Sequence, residues 1–307
     1  MIQIYQKTIK EKELKTLENF RVGSWIYAES PTEEELERLA KEFSLELGHL
    51  KDAADIHEVP RLEIEKKTDY IFIRFPHQQE DGLITTTPLL IVLGENFLIT
   101  VSQKRLPFLE KFITGKINFY TTQKTKLFLQ IFSEVNSLYS HFLASINRRV
   151  RSIGVRIEKI TPKDIVQFIA SETILNDFMA DLVPTNTILK NLLSGKILKL
   201  YEEDKDLTED LLLSNNQLVE LCKSNIKTII NIRDAYSTIM SNNINRVIKL
   251  LTSITIILTV PMIVASLYGM NVALPLENHP SAFWLILGIV GAISATLVYI
   301  FNKNQWL

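Results

Sequence analysis

A single cysteine, Cys222, among 307 residues excludes an intrachain disulfide framework and any cysteine-rich zinc site. Cys222 falls within an apolar helical stripe, where a thiol acts as a small packing residue. An excess of one charge is also missing. The 34 basic residues stand against 35 acidic ones, so nucleic acid, which selects a basic patch, is not an expected partner. No GxxxxGK[ST] loop occurs, and direct ATP hydrolysis is not expected. No nucleophile and base fall in a recognisable arrangement, and His49, His57, His77 and His141 lack ligand spacing, so no enzyme and no resident cofactor is expected. The opening stretch MIQIYQKTIKEKEL has no apolar h-region, so a cleavable signal peptide is not expected and the large N-terminal part should remain in the cytoplasm.

The most telling shortage is of charge in two stretches near the C-terminus. Residues 250–267 hold eighteen positions without one charged side chain, close to what a helix needs to cross a bilayer core. A second uncharged run covers residues 281–302, and the chain then ends in Lys303-Asn304-Gln305-Trp306-Leu307. Two membrane spans are expected rather than a buried helical hairpin. Lys223, Lys227, Arg233, Arg246 and Lys249 precede the first run and Lys303 follows the second, while the loop between them has no Lys or Arg. Positive residues stay inside, which predicts a multi-pass membrane protein with both termini cytoplasmic and the 271–280 loop outside.

Ahead of the spans the pattern is mixed. Residues 25–28 read as a strand. Ser30, Pro31 and Glu33 read as the N-cap, first-turn proline and capping-box acid of a helix. Residues 62–75 read as one or two strands, with 70–75 the firmest, and residues 88–100 as two strands around Gly94-Glu95-Asn96. From 123 to about 159 the pattern is helical, with Leu127, Ile131, Val135, Leu138, Phe142 and Ile146 on one face. Thr161 and Pro162 open a helix expected to reach Gly195 with a bend at Pro184. A final helix from about 206 to 267 would extend roughly 90 Å, and should form a stalk that packs against copies of itself. The expected division is a cytoplasmic α/β domain (1–122), cytoplasmic antiparallel helices (123–205), the stalk (206–249), a first span (250–271), an outer loop (272–280), a second span (281–302) and a basic tail (303–307).

Stepping back in sevens from Ser266 meets Thr259, Thr252, Asn245, Thr238, Asn231, Ser224, Gln217, Asp210 and Glu203. Every one is polar. A period of seven on neighbouring helices marks a seam facing a common axis. A buried coiled-coil seam would carry Leu or Ile, whereas hydroxyls and amides at membrane depth suit a water-filled cavity. The companion positions include Ile248, Thr255 and Met262. Asn245, Thr252, Thr255, Thr259 and Ser266 are therefore expected to line a pore, with Ile248, Met262 and Leu251 as apolar constrictions that gate by dewetting. Packing of those apolar side chains between helices is the alternative.

The first span closes in Tyr268-Gly269-Met270-Asn271, which resembles the YGMN signature of the CorA magnesium transporters. Residues 241–245 (SNNIN) look like that family's approach to its first span, residues 277–280 like its short acidic outer loop, and the Lys-Trp-Leu ending like its terminus. The similarity covers residues 234–307 strongly and the front of the chain in layout. It implies an α+β cytoplasmic domain with a long helical stalk and two C-terminal transmembrane helices, assembled as a funnel-shaped homopentamer in the lipid bilayer. It also implies Mg2+ as substrate and as regulatory ligand, with Co2+ or Ni2+ as further ions. Gly269, Met270 and Asn271 would form the entry filter and Asn245 an inner polar ring. The chemistry agrees: Mg2+ dehydrates reluctantly and keeps several waters, so an amide oxygen and an unobstructed carbonyl suit it better than a carboxylate cage. Tyr268 is placed at the interface of lipid and water.

Glu277 is the only acid of the outer loop and reads as a cation attractor or as a solvated charge; His279 beside it lacks partners. Residues 202–210 hold an acidic group at the start of the stalk. By continuous register Asp210, with Asp206 and Glu203, is the candidate regulatory metal site, bridged between subunits by hydrated Mg2+. Two rival functions stay open: a Zn2+ transporter (or one for Co2+ or Ni2+) of the same superfamily, and a membrane-anchored coiled-coil scaffold or signalling protein. The shortage of His and Cys speaks against the first, and the polar heptad seam against the second.

Overall fold

The computed structural model describes residues 1–11, 13–155, 160–195, 200–272, 275 and 280–306. The chain divides into two compact units, Met1–Asn231 and Ile232–Leu307.

The first unit is built on seven strands: β1 (Ile2–Gln6), β2 (Lys15–Leu17), β3 (Ser24–Glu29), β4 (Arg61–Glu65), β5 (Thr68–Gln78), β6 (Ile84–Leu93) and β7 (Phe97–Ser102). They form one sheet in the order β2-β1-β3-β7-β6-β5-β4. All neighbours are antiparallel except β3 and β7, whose parallel register runs from Ser24 opposite Phe97 to Glu29 opposite Ser102. Gly23 leads into that pair with φ +81, and a Cβ there would lie 2.9 Å from Thr122 Cγ2, so both conformation and space require glycine.

Helices cover the sheet on two sides. α1 (Glu33–Phe43) and α2 (Leu47–Asp52) bury Leu36, Leu39 and Leu50 against Ile26, Phe72, Val92 and Val101. On the other side Trp25 meets Phe112 of α3 (Leu109–Ile113), with ring centroids 5.7 Å apart, and α4 (Lys124–Gly154) runs past β5, β6 and β7. With both faces covered, the central strands become continuous apolar runs; Leu89 to Leu93 of β6 are all buried. Two lysines, Lys66 and Lys67, make the β4–β5 turn with φ 47 and φ 68, as a two-residue hairpin loop of this twist demands.

Two readings of the sequence need correction. The N-cap of α1 is Thr32, whose side chain accepts from the Glu35 amide while the Glu35 carboxylate accepts from the Thr32 amide. Ser30 instead holds the end of the parallel pair, its N–H bonded to the Ser102 carbonyl at 2.8 Å, and that fixes the chain one turn short of helix. The face of α4 also departs from the expected line: Leu138 and Phe142 are half-buried, and the buried path turns through Tyr139, Leu143, Ile146 and Val150. The expected line steps by three from Val135 to Leu138, whereas the core face keeps steps of four through Tyr139 to Leu143, drifting about 40° per step, and steps by three only at Ile146.

α5 (Pro162–Leu193) starts at the expected Thr161 cap, closed reciprocally by Asp164, and has Pro184 inside it. α6 (Glu202–Tyr268) is one helix of 67 residues with Pro261 inside, starting four residues before its expected position. In the first unit α6 buries Asp204, Thr208, Leu211, Asn215, Leu218, Cys222, Asn225 and Ile229. These alternate in steps of four and three, the spacing of a helix packed along a neighbouring helix. Polar members are tied down: the Asn215 Nδ2 donates to the Leu182 carbonyl of α5 at 2.8 Å, and the Asn136 Nδ2 of α4 donates to the Leu211 carbonyl at 3.4 Å. Cys222 is fully buried, the packing residue expected of it.

The second unit holds the C-terminal part of α6 and α7 (Ala282–Lys303). Both are long and apolar enough to cross a membrane, and in their most apolar stretches only 6% of α6 and 0% of α7 is buried by the chain itself. A hairpin in the core of a soluble protein would be mostly covered.

Candidate functional site

The site is one side of α6. In the second unit this helix has one stripe covered within the chain: Ser253 is fully buried, and Ile257, Val260, Pro261 and Val264 are half-buried. α7 has a matching stripe of half-buried Ala282, Ile286, Val290, Ser294 and Leu297. At 100° per residue, the expected pore positions Asn245, Ile248, Thr252, Thr255, Met262 and Ser266 lie about half a turn from the covered stripe of α6. All of them are exposed, as is Leu251, while Thr259 is half-buried. Polar and covered faces are thus on opposite sides of the same helix.

The hydroxyls on this helix are arranged for an apolar setting. Thr255 Oγ1 donates to the Leu251 carbonyl at 2.8 Å, Thr259 Oγ1 to the Thr255 carbonyl at 2.7 Å, and Ser253 Oγ to the Lys249 carbonyl at 2.7 Å. Each proton is spent inside the helix. The oxygen lone pairs of Thr255 and Thr259 are left to accept hydrogen bonds.

The YGMN tetrapeptide closes α6. The Gly269 amide donates to the Ala265 carbonyl at 3.0 Å and the Met270 amide to the Leu267 carbonyl at 3.2 Å, so the last helical turn carries straight into the motif. Gly269, Met270 and Asn271 are all exposed. Tyr268, expected at the lipid–water boundary, has a further contact: its hydroxyl donates to the Pro275 carbonyl at 3.2 Å, tying the loop to the helix end. Glu277 and His279 lie outside the described residues.

At the other end of α6, Glu203, Asp206 and Asp210 share one exposed face, distinct from the buried seam. Glu203 pairs with Lys126 of α4 at 3.2 Å, which fastens the helix start to its neighbour. Its neighbour Asp204 is buried and carries a carboxyl pushed up by desolvation. Among the described residues no group of three or more His, Cys, Asp or Glu side chains converges as a metal site within one chain. The exposed face of Gln217, Ser224, Asn231, Thr238 and Asn245 continues the register from Asp210 toward the spans without a charge.

Sequence reasoning missed one cluster. Arg74 of β5, Asp181 of α5 and Tyr139 of α4 form a buried network around an Arg74 Nε to Asp181 Oδ1 ion pair of 3.1 Å. A lone arginine inside the apolar run Tyr70–Phe75 was its visible signal.

The chain matches the family model described as CorA-like Mg2+ transporter protein over residues 21–303. It is 28% identical over 300 residues to the cobalt/magnesium transport protein CorA of Methanocaldococcus jannaschii, covering 95% of this chain and 93% of that one. It is 23% identical to the magnesium transport protein CorA of Helicobacter pylori, over 98% of each chain. The complete structure of the M. jannaschii CorA magnesium transporter superposes with a TM-score of 0.88 at 25% identity, covering 100% of this chain and 99% of the other. With a matching family model over nearly its whole length, a shared full-length fold and YGMN at the end of the first of two apolar helices, the chain belongs to the CorA family of Mg2+ transporter proteins.

Proposed function

We propose that this chain assembles as a homopentamer in the plasma (inner) membrane and conducts Mg2+, with Co2+ or Ni2+ as further ions, along an axis lined by α6. The observation that carries this reading is the stripe of small polar side chains on the side of α6 opposite its covered face, ending in Gly269, Met270 and Asn271. Hydrated ions would enter past rings of the Gly269 carbonyl and the Asn271 amide, with Glu277 drawing cations to the mouth. They would then pass the hydroxyls of Ser266, Thr259, Thr255 and Thr252 and the amide of Asn245. Met262, Leu251 and Ile248 would close the path by excluding water. With both termini cytoplasmic, the membrane potential favours entry of a divalent ion by about 4–5 kcal/mol per 100 mV.

Feedback would come from Asp210, Asp206 and Glu203. Their exposed carboxylates repel one another when subunits meet, and hydrated Mg2+ between subunits neutralises that repulsion. Loss of the ion would let the α6 helices part.

The test is Mg2+ uptake into liposomes holding the full chain, wild type beside Asn271→Ala, at several internal Mg2+ concentrations. Uptake that is lost in the variant and falls as internal Mg2+ rises supports filter and feedback together. Flux of Zn2+ without Mg2+ moves the protein to a zinc role, and no flux of any divalent ion refutes the channel reading.

A further inference from the structure

The buried network missed by sequence reasoning sits where the sheet meets the helices, all within the first unit. Arg74 uses its fork on three segments. Its Nε reaches the Asp181 carboxylate at 3.1 Å and Thr86 Oγ1 at 3.0 Å, its Nη1 donates to the Glu58 carbonyl at 2.6 Å, and its Nη2 donates to the Thr86 carbonyl at 2.9 Å. The Tyr139 hydroxyl donates to Asp181 Oδ2 at 3.0 Å. Arg74 and Asp181 are 12% and 8% exposed, so the pair is largely withdrawn from water. Asp181 therefore links β5 and β6 to α4 and α5. The next residue, Leu182, gives its carbonyl to Asn215 of α6. A cavity of about 490 Å³ opens onto Arg74, Asp177 and Asp181, so protons from solvent reach the pair.

We propose that the joint between the sheet and α5 is a proton-linked clasp with Asp181 as its titrating group, held shut in acid and released as pH rises. This goes beyond the transport reading and does not depend on which ion is carried. Two features of the joint oppose each other: burial of Asp181 favours its protonated form, and the Arg74 guanidinium 3.1 Å away favours its carboxylate. Closed, the joint buries Asp181; opened, it returns the carboxylate to water. Burial pushes the Asp181 carboxyl from its ordinary 3.8 up to about 6, outweighing the Arg74 guanidinium and the Thr86 and Tyr139 hydrogen bonds, with Asp177 adding in the same direction. The closed joint thus holds a proton more tightly than the open one, and acid favours closure.

Other titratable groups facing the joint act differently. Asp177, four residues earlier on α5, is also raised by burial and would reinforce the effect. His77 of β5 is lowered by burial and by Lys104, so its protonation would favour opening in acid, the opposite sign. Tyr139 of α4 is held protonated by burial and by Asp181. His57, Glu58 and Lys104 complete the rim; the Glu58 carboxylate is engaged by Arg61.

The experiment is hydrogen exchange followed by mass spectrometry on the full chain in lipid nanodiscs, corrected for the intrinsic exchange rate. Peptides covering β5 and α5 are followed. From about pH 8 to about pH 5 the opening of these segments should become about tenfold rarer in wild type. Asp181→Asn should remove the dependence, and the doubly neutral Arg74→Gln/Asp181→Asn should do the same without leaving an unpaired buried cation. Asp177→Asn should keep most of it. Opening that is flat with pH in wild type overturns the proposal. So does a slope that persists in both Asp181 variants, or one that disappears in Asp177→Asn alone. Opening that becomes more frequent in acid assigns the titration to His77 and overturns it too.

Discussion

Gly269→Ala tests the entry-filter role proposed for Gly269 by separating ion approach from helix packing. Gly269 is not in the left-handed region, so alanine meets no backbone strain there. A Cβ at this position would lie 3.3 Å from the Ala265 carbonyl oxygen and 3.6 Å from that of Ser266. The first contact is tight by a few tenths of an ångström and the second is ordinary. Because Gly269 already makes a helical hydrogen bond to Ala265, alanine gains about 0.5–1 kcal/mol of helix preference that offsets the crowding. The fold and assembly should therefore change by less than about 1 kcal/mol. Transport is a different matter, since in the proposed pentamer a methyl beside each Gly269 carbonyl would narrow the mouth once per subunit. Uptake should fall at least about tenfold, equivalent to about 1.4 kcal/mol on the barrier. The assay pairs Mg2+ flux per assembled oligomer with light scattering and thermal melting of the same sample. Wild-type flux from a fully assembled Gly269→Ala oligomer would refute the idea that glycine is there for ion approach. A variant that no longer assembles would show that the residue serves packing.

Three further outcomes follow from the geometry. Asp210→Asn, on the exposed face of α6, should leave flux at low internal Mg2+ near wild type and shift the inhibitory concentration upward by several-fold; an unchanged shutdown curve assigns feedback elsewhere. Thr100→Val orphans the buried Trp25 indole N–H, now 2.9 Å from Thr100 Oγ1, and should cost about 1–3 kcal/mol in the unfolding of the first unit; a change below about 0.5 kcal/mol would mean the indole finds another acceptor. Burial pushes the Cys222 thiol from its ordinary 9.0 up to about 12. The unfolded chain therefore loses a proton above pH 9 that the folded chain keeps, so the Cys222 contribution to stability declines as pH rises through that window. Labelling by a maleimide near pH 8 should wait for unfolding, and rapid labelling of the native protein would contradict its burial.

The second unit was largely legible in the sequence because membranes impose a one-dimensional rule. Length without charge is enough to find a span, and seven-residue spacing is enough to find a polar line along a helix. The strands around Gly94-Glu95-Asn96 and the Thr161-Pro162 helix start were equally readable, since turn and cap chemistry is local. β1, β2, α2 and α3 were not read at all: they are short, and their order comes from partners distant in sequence, as in Gln3 opposite Tyr27. The cap at Thr32 was misplaced because Ser30 and Thr32 offer the same chemistry, and a long-range bond from Ser30 to Ser102 decides between them. The acidic face of Asp210 was visible, and among the described residues no group of three or more His, Cys, Asp or Glu side chains forms around it.

The order of the two units along the chain has a consequence for biosynthesis. Everything that builds the sheet and its helical cover, through Asn231, is translated before the first apolar stretch of α6 is complete. At about 5–20 residues per second, the ribosome needs several seconds more to deliver both spans. The first unit can therefore bury its core before the two apolar helices are delivered. The insertion machinery then receives two helices that follow an already folded portion of the chain. A variant that slows folding of the first unit would expose its apolar strands during that interval, and its penalty would appear as poor yield in the membrane before any defect in conduction could be measured.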